Sequence, residues 1–203
     1  MRIPLLLDVA GQPVLCVGAG PVATGKVVPL LEAGAVVTVI APQVDAGLAR
    51  AHTIVRRGYE PGDVDRFPRP RLVVAGTGAL EIDEAVATEA ASLSIWCLRI
   101  DGEGDVAVPS VIRRGGLVVA LATGAPALTR RLRQVLGETL DDRWGIASKT
   151  LADLRADPSV RAALATLPAS ERRRRWRAAV EVMLDDGTPF DRGTAEAILL
   201  ADD

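Results

Sequence analysis

Pro13-Val14-Leu15-Cys16-Val17-Gly18-Ala19-Gly20-Pro21-Val22-Ala23 is an apolar run of strand length that breaks into a G-x-G-x-x-A turn. A helical segment, Val22 to Ala33, follows it, and a second β-branched run, Val36 to Ile40, closes a strand-helix-strand unit. In that context each small residue has a task. Gly18 permits the tight turn, Gly20 lets the backbone approach a pyrophosphate, and Ala23 lets the helix lie against the strand. Pro21 and Val22 open the helix, whose first amides and positive dipole end favour phosphates. The pattern points to dinucleotide binding; the alternative is a strand-to-helix turn with a purely structural role.

The second strand qualifies this reading. An NAD site usually has an acid at that strand end for the ribose hydroxyls, but Val39-Ile40-Ala41-Pro42-Gln43 has none. The ribose is then left to the backbone of Ala41 and Pro42 and to Gln43. No Arg follows to receive a 2′-phosphate, so NAD is favoured over NADP. Farther along, Leu72 to Ala75 and Ser94 to Leu98 are further apolar runs, separated by a helical segment from Ala79 to Ser92. Runs apolar at successive positions suit strands covered on both faces. The expected fold class is therefore α/β, a Rossmann-like, doubly wound parallel sheet over residues 1–108.

After residue 108 the pattern changes. Pro109 to Arg114 and Leu117 to Leu121 flank Gly115-Gly116, a tight-hairpin signal, and Pro126 to Leu140 reads as a helix opening at a proline. Residues 109–143 are read as one segment, a sheet extension or a dimer-forming ribbon. Trp144 to Arg155, Pro158 to Thr166 and Pro168 to Leu184 make residues 144–203 a small helical domain. Within it, helical geometry spreads the arginines of Glu171-Arg172-Arg173-Arg174-Arg175-Trp176-Arg177 around the cylinder, which favours a solvated face over an anion site.

Composition narrows the chemistry. Of 203 residues, 49% are hydrophobic and 25% charged, the balance of a globular chain. Lys+Arg 24 against Asp+Glu 26 gives a net charge of −2, which disfavours a nucleic-acid or anionic-membrane binder. One His and two Cys, the cysteines 81 positions apart, argue against a His/Cys zinc site, an imidazole triad and a disulfide framework within one chain. Cys16 and Cys97 sit in apolar runs as buried, reduced thiols, and His52 reads as a surface residue. The leucines of Ile3-Pro4-Leu5-Leu6-Leu7-Asp8 are too few for a signal peptide, so a cytoplasmic location is expected.

Several blocks in order resemble the siroheme synthase N-terminal module family. They are Gly18 to Ala23 with Lys26, Leu30 to Ala35, Val37 to Pro42, Ile95 to Asp101, Val108 to Arg114, and Ala122-Thr123-Gly124 leading into Pro126 to Arg133. The resemblance implies an NAD-dependent precorrin-2 dehydrogenase that makes sirohydrochlorin, in a family many of whose members also insert Fe²⁺. It implies a homodimer with residues 109–143 as its dimerisation segment, a tetrapyrrole substrate and a catalytic aspartate after the fifth strand, here Asp101. Position agrees, because open α/β sheets bind ligands beyond the carboxyl ends of their strands. A turn-forming role in Asp101-Gly102 is the alternative. Thr77 corresponds to a cofactor contact, and Thr123 replaces a serine near the tetrapyrrole pocket.

The substrate carries eight carboxylates, for which Arg113, Arg114 and Arg130, with Arg131 and Arg133, are the candidate partners. Departures gather in the same regions. Where the family reads Ala-Ala-Thr-Asp-Asp this chain reads Ala75-Gly76-Thr77-Gly78-Ala79, a family asparagine appears as Asp83, and two loops are shorter. These changes bear more on metal insertion than on hydride transfer, which needs chiefly that cofactor and substrate be held in register. The competing function is a non-catalytic NAD- or tetrapyrrole-binding regulatory module.

Overall fold

A computed structural model describes residues 3–184 and 192–201; Met1 and Arg2 of the N-terminal stretch, and 185–191 and 202–203 of the helical region, lie outside them. The chain divides into two compact units, Met1–Val108 and Pro109–Asp203.

The first unit is a five-stranded parallel sheet. In chain order its elements are β1 (Pro13–Val17), α1 (Pro21–Glu32), β2 (Val36–Ile40), a 3₁₀ turn (Ala46–Leu48), β3 (Thr53–Val55), α2 (Asp63–Arg66), β4 (Leu72–Ala75), α3 (Leu80–Ser92) and β5 (Trp96–Arg99). The strand order is β3-β2-β1-β4-β5, so the direction of winding reverses between β1 and β4. Both faces are covered, which explains why the strands are apolar at successive positions. Val14, Cys16, Val37, Val39 and Val74 pack with Ala23 and Val27 of α1, whereas Leu15, Val17, Ile40, Val73 and Ala75 pack with Val86 and Ala90 of α3. Both thiols are buried, and burial pushes Cys16 up to about 12 and Cys97 to about 11. At those values neither is a nucleophile.

One local boundary differs from expectation. The fifth strand starts at Trp96 rather than Ser94, because Ser94 takes a left-handed φ of 56° as α3 ends and Ile95 N–H returns to Ala90 O. The segment between β3 and β4 is tied to α3 by Glu89, which accepts from Val64 N–H, Gly62 N–H and Tyr59 O–H. The Arg57 guanidinium holds the buried Asp63 carboxyl below the usual carboxylate range. The outer edge of β5 is also covered: Cys97 N–H donates to Asp105 Oδ2 at 3.1 Å and Val106 N–H to Cys97 O at 3.3 Å. An edge strand capped by its own returning loop offers no free ladder to another chain.

The second unit contains the hairpin β6 (Ser110–Arg114) and β7 (Leu117–Leu121), then α4 (Pro126–Thr139), α5 (Asp142–Ala156), α6 (Pro158–Ala165), α7 (Ala169–Leu184) and α8 (Arg192–Leu200). It runs through residue 143 without a break. Gly145 of α5 lies against the hairpin turn so closely that a Cβ there would come within 2.6 Å of the Arg114 carbonyl. Ala147 and Leu154 of the same helix enter the helical core with Val160, Leu164, Ala179, Met183, Ala195 and Leu199.

The arginine run is not wholly a solvated face. Arg175 is only 6% exposed. Its guanidinium bonds Glu171 at 3.0 Å and donates to the carbonyls of Leu199 and Ala201, so it caps α8. Hydrogen bonds from Arg174 and then Arg175 depress the Glu171 carboxyl from the ordinary value of 4.5 to about 2. A depressed folded-state value means that the contribution is present above the ordinary value and is lost as pH falls from 4.5 toward 2. Glu171→Gln is therefore expected to melt lower than wild type at neutral pH, with the two melting temperatures converging by the bottom of that window in thermal scans.

Candidate functional site

The carboxyl ends of β1, β4 and β5 meet through two successive close approaches, with α1 beside them. Gly18 has φ 96°, and a Cβ there would lie 2.2 Å from Gly76 O; a Cβ on Gly76 would in turn lie 2.2 Å from Ile100 Cδ1 and 3.3 Å from Ala23 Cβ. Gly76 N–H bonds Val17 O at 2.9 Å and Ile100 N–H bonds Ala75 O at 3.0 Å. The glycine turn, the β4 loop and the start of the β5 loop are thus stacked at the point where strand order reverses, the position at which open α/β sheets bind ligands.

The residues at the start of α1 fit a dinucleotide phosphate. Gly20 is the N-cap, with no side chain to cap the helix, and Pro21 takes the first helical position. Among the described residues the N–H groups of Val22 and Ala23 have no acceptor, and Gly20 has nothing within 4 Å of where a Cβ would stand. Free amides at a helix start, beside a glycine with open space about it, are suited to hold an anion. Ala41 is buried with its amide bonded to Val55 O, while Pro42 and Gln43 are exposed beyond β2.

Thr77 lies in the β4 loop, next to Gly76, and a residue not singled out as a contact holds it there. Asp83 of α3, 3% exposed, accepts from Thr77 N–H at 2.9 Å and from its hydroxyl at 2.8 Å. The Thr77 hydroxyl also accepts from Ala79 N–H. The departure to Asp83 noted in the sequence is therefore a clamp on the loop. Thr77 itself is exposed, so Asp83→Ala removes two hydrogen bonds without stranding a buried donor; it is expected to cost about 1 kcal/mol in denaturant unfolding and to weaken dinucleotide binding by loosening the loop.

Asp101 follows Ile100 on the same edge, exposed and without a hydrogen bond or ion pair among the described residues. A carboxylate so placed is available to accept a proton. Beneath its loop, the Arg99 guanidinium lies against Gly102, where a Cβ would meet Arg99 Cζ at 2.8 Å, and a weak ion pair to Glu84 spans 3.7 Å.

In the second unit Arg113, Arg114, Arg130 and Arg133 line one cleft of ≈ 550 Å³ between β6 and α4. They are not equivalent. Arg114 donates to Gly137 O and Leu140 O, closing the end of α4, and Arg133 Nε donates to Val111 O. The Arg113 and Arg130 side chains make no hydrogen bond or ion pair among the described residues, while Arg131 bonds Gln134. Thr123 stands apart from the cleft: its hydroxyl accepts from Ala125 N–H and pairs with Thr129, closing the turn into α4. His52 is exposed, with Nδ1 accepting from Val37 N–H at 3.2 Å. Among the described residues no three His, Cys, Asp or Glu converge on a metal site, and no helix is long and apolar enough to cross a membrane.

Comparison with known proteins agrees with this geometry. The family described as “Putative NAD(P)-binding” matches residues 5–110. A siroheme synthase of Methylococcus capsulatus is 36% identical over 165 residues, covering 75% of this chain and 34% of that protein. Siroheme synthase 1 of Aeromonas salmonicida is 34% identical over 183 residues, covering 86% of this chain and 38% of that protein. The chain thus spans little more than a third of the length of these relatives. Among solved structures, SirC, precorrin-2 dehydrogenase, matches with a TM-score of 0.72 over 98% of this chain and 97% of that one, at 22% identity.

Proposed function

The chain belongs to the NAD(P)-binding family to which the siroheme synthase N-terminal module also belongs, and on that premise we propose that it oxidises precorrin-2 to sirohydrochlorin. The observation that carries the reading is the stack Gly18-Gly76-Ile100, which ties the loop bearing Asp101 to the edge that carries the free α1 amides. When bound, NAD⁺ supplies the hydride acceptor. The protein's share is to hold the pyrophosphate on the Val22 and Ala23 amides, to keep Gly18 and Gly20 out of its way, and to fix the β4 loop through Thr77 and Asp83. Asp101 takes the proton that leaves with the hydride, so the two hydrogens removed from the substrate are accounted for.

Arg113 and Arg130 keep unspent guanidinium groups and are assigned to substrate carboxylates; Arg114 serves the fold. Fe²⁺, as a second substrate, would be received by the ring's own nitrogens. A second copy of the chain is the proposed partner, because α4 has no buried residue while Leu128 and Val135 on it stand exposed. Unpartnered apolar surface of that kind favours association. The cytoplasm is the proposed location. The reaction is tested by adding precorrin-2 and NAD⁺ and following NADH absorbance at 340 nm. NADH should form in step with sirohydrochlorin, and a chain that binds both compounds without forming NADH is a regulatory module instead.

A further inference from the structure

The acid missing from the end of β2 arrives later and by another route. The chain leaves β2 through exposed Pro42 and Gln43, then returns: Asp45 N–H donates to Ala19 O, inside the glycine turn, at 3.1 Å. Its carboxylate Oδ1 accepts Gly47 N–H at 2.8 Å and caps the turn Ala46–Leu48. That turn is firmly seated. Leu48 is fully buried, and Gly47 lies so near α1 that a Cβ would come within 2.7 Å of Thr24 Cγ2. Asp45 itself is half-buried, and among the described residues Oδ2 has no partner and no cation pairs with the carboxylate. The nearby Arg50 is engaged with Glu32 at 3.4 Å.

We propose that Asp45 is the residue that selects NAD over NADP. It sits beside the glycine turn at the carboxyl end of β2, where the adenosine ribose of a dinucleotide lies in this fold. There the unspent oxygen can accept a hydrogen bond from a ribose hydroxyl. A 2′-phosphate offers only acceptors and negative charge, so the same fixed carboxylate repels it. Gln43, exposed and neutral, provides no such repulsion. The inference rests on the dinucleotide site proposed above and adds the group that chooses between its two forms.

Asn caps a helical turn about as well as Asp, so Asp45→Asn removes the charge and keeps the cap; Asp45→Ser, also a cap former, is the second variant. NADH and NADPH are titrated into the full chain and nicotinamide fluorescence is followed, which needs no tetrapyrrole. Wild type should bind NADH about tenfold tighter than NADPH or better, and both variants, with unchanged melting temperature, should lose most of that preference. Variants that keep the wild-type preference overturn the role of Asp45, as does a wild type that prefers NADPH. If wild type binds neither dinucleotide, the site itself is wrong and the selector falls with it, a result distinct from tight but unselective binding.

Discussion

Alanine at position 18 is expected to unfold the dinucleotide cradle, destabilising the first unit by about 3 kcal/mol or more and abolishing NADH binding. Two costs combine. The backbone φ of 96° is a left-handed conformation strained for any residue with a Cβ, and that Cβ would stand 2.2 Å from Gly76 O and 2.6 Å from Thr77 N. Those neighbours are backbone atoms with little room to retreat. Gly76 is held by its hydrogen bond to Val17 and by Ile100 packed on its other side, and Thr77 is held by Asp83. Gly20→Ala is the contrast. Its φ of −75° is ordinary and nothing lies within 4 Å, so the fold should survive while the added methyl occupies space the phosphate needs. Urea unfolding and NADH titration on the two variants separate the effects; equal stability of Gly18→Ala and wild type would refute the close-packing argument.

The second large effect is catalytic. Asp101→Asn should lower the rate of precorrin-2 oxidation by roughly a hundred- to ten-thousandfold, the usual range for losing a positioned acid-base group. Fold and NADH affinity should barely change. Asp101 is exposed and has no partner among the described residues, and surface substitutions of that kind usually shift stability by less than about 0.5 kcal/mol. The informative measurement is the pair: single-turnover formation of NADH at saturating substrates, beside the NADH dissociation constant. A variant that turns over at the wild-type rate would leave Asp101 only its turn-forming role in Asp101-Gly102.

The motif from Pro13 to Ala23 was readable because its constraints are local. A tight turn needs a glycine, a buried parallel strand needs an unbroken apolar run, and a helix start needs a cap or a proline. The hairpin about Gly115-Gly116 was readable for the same reason. Local rules misled where a distant partner decided. Ser94 looks like the start of a strand, but its φ of 56° serves the end of α3, so β5 begins two positions later. Arg175 looks like one more surface cation, yet it is buried against the end of α8, a helix the apolar periodicity did not announce.

The site divides along the same line. By itself the sequence determined the parallel α/β unit, the glycine turn at its phosphate end and the placement of Asp101 beyond the fifth strand, since each depends on neighbours a few residues apart. Only the tertiary structure decided that Asp83 clamps Thr77, that Arg114 is spent on the end of α4 while Arg113 and Arg130 are not, and that Asp45 returns to Ala19. A side chain's role depends on which polar groups it must satisfy once buried, and those groups come from chain segments that become neighbours only on folding.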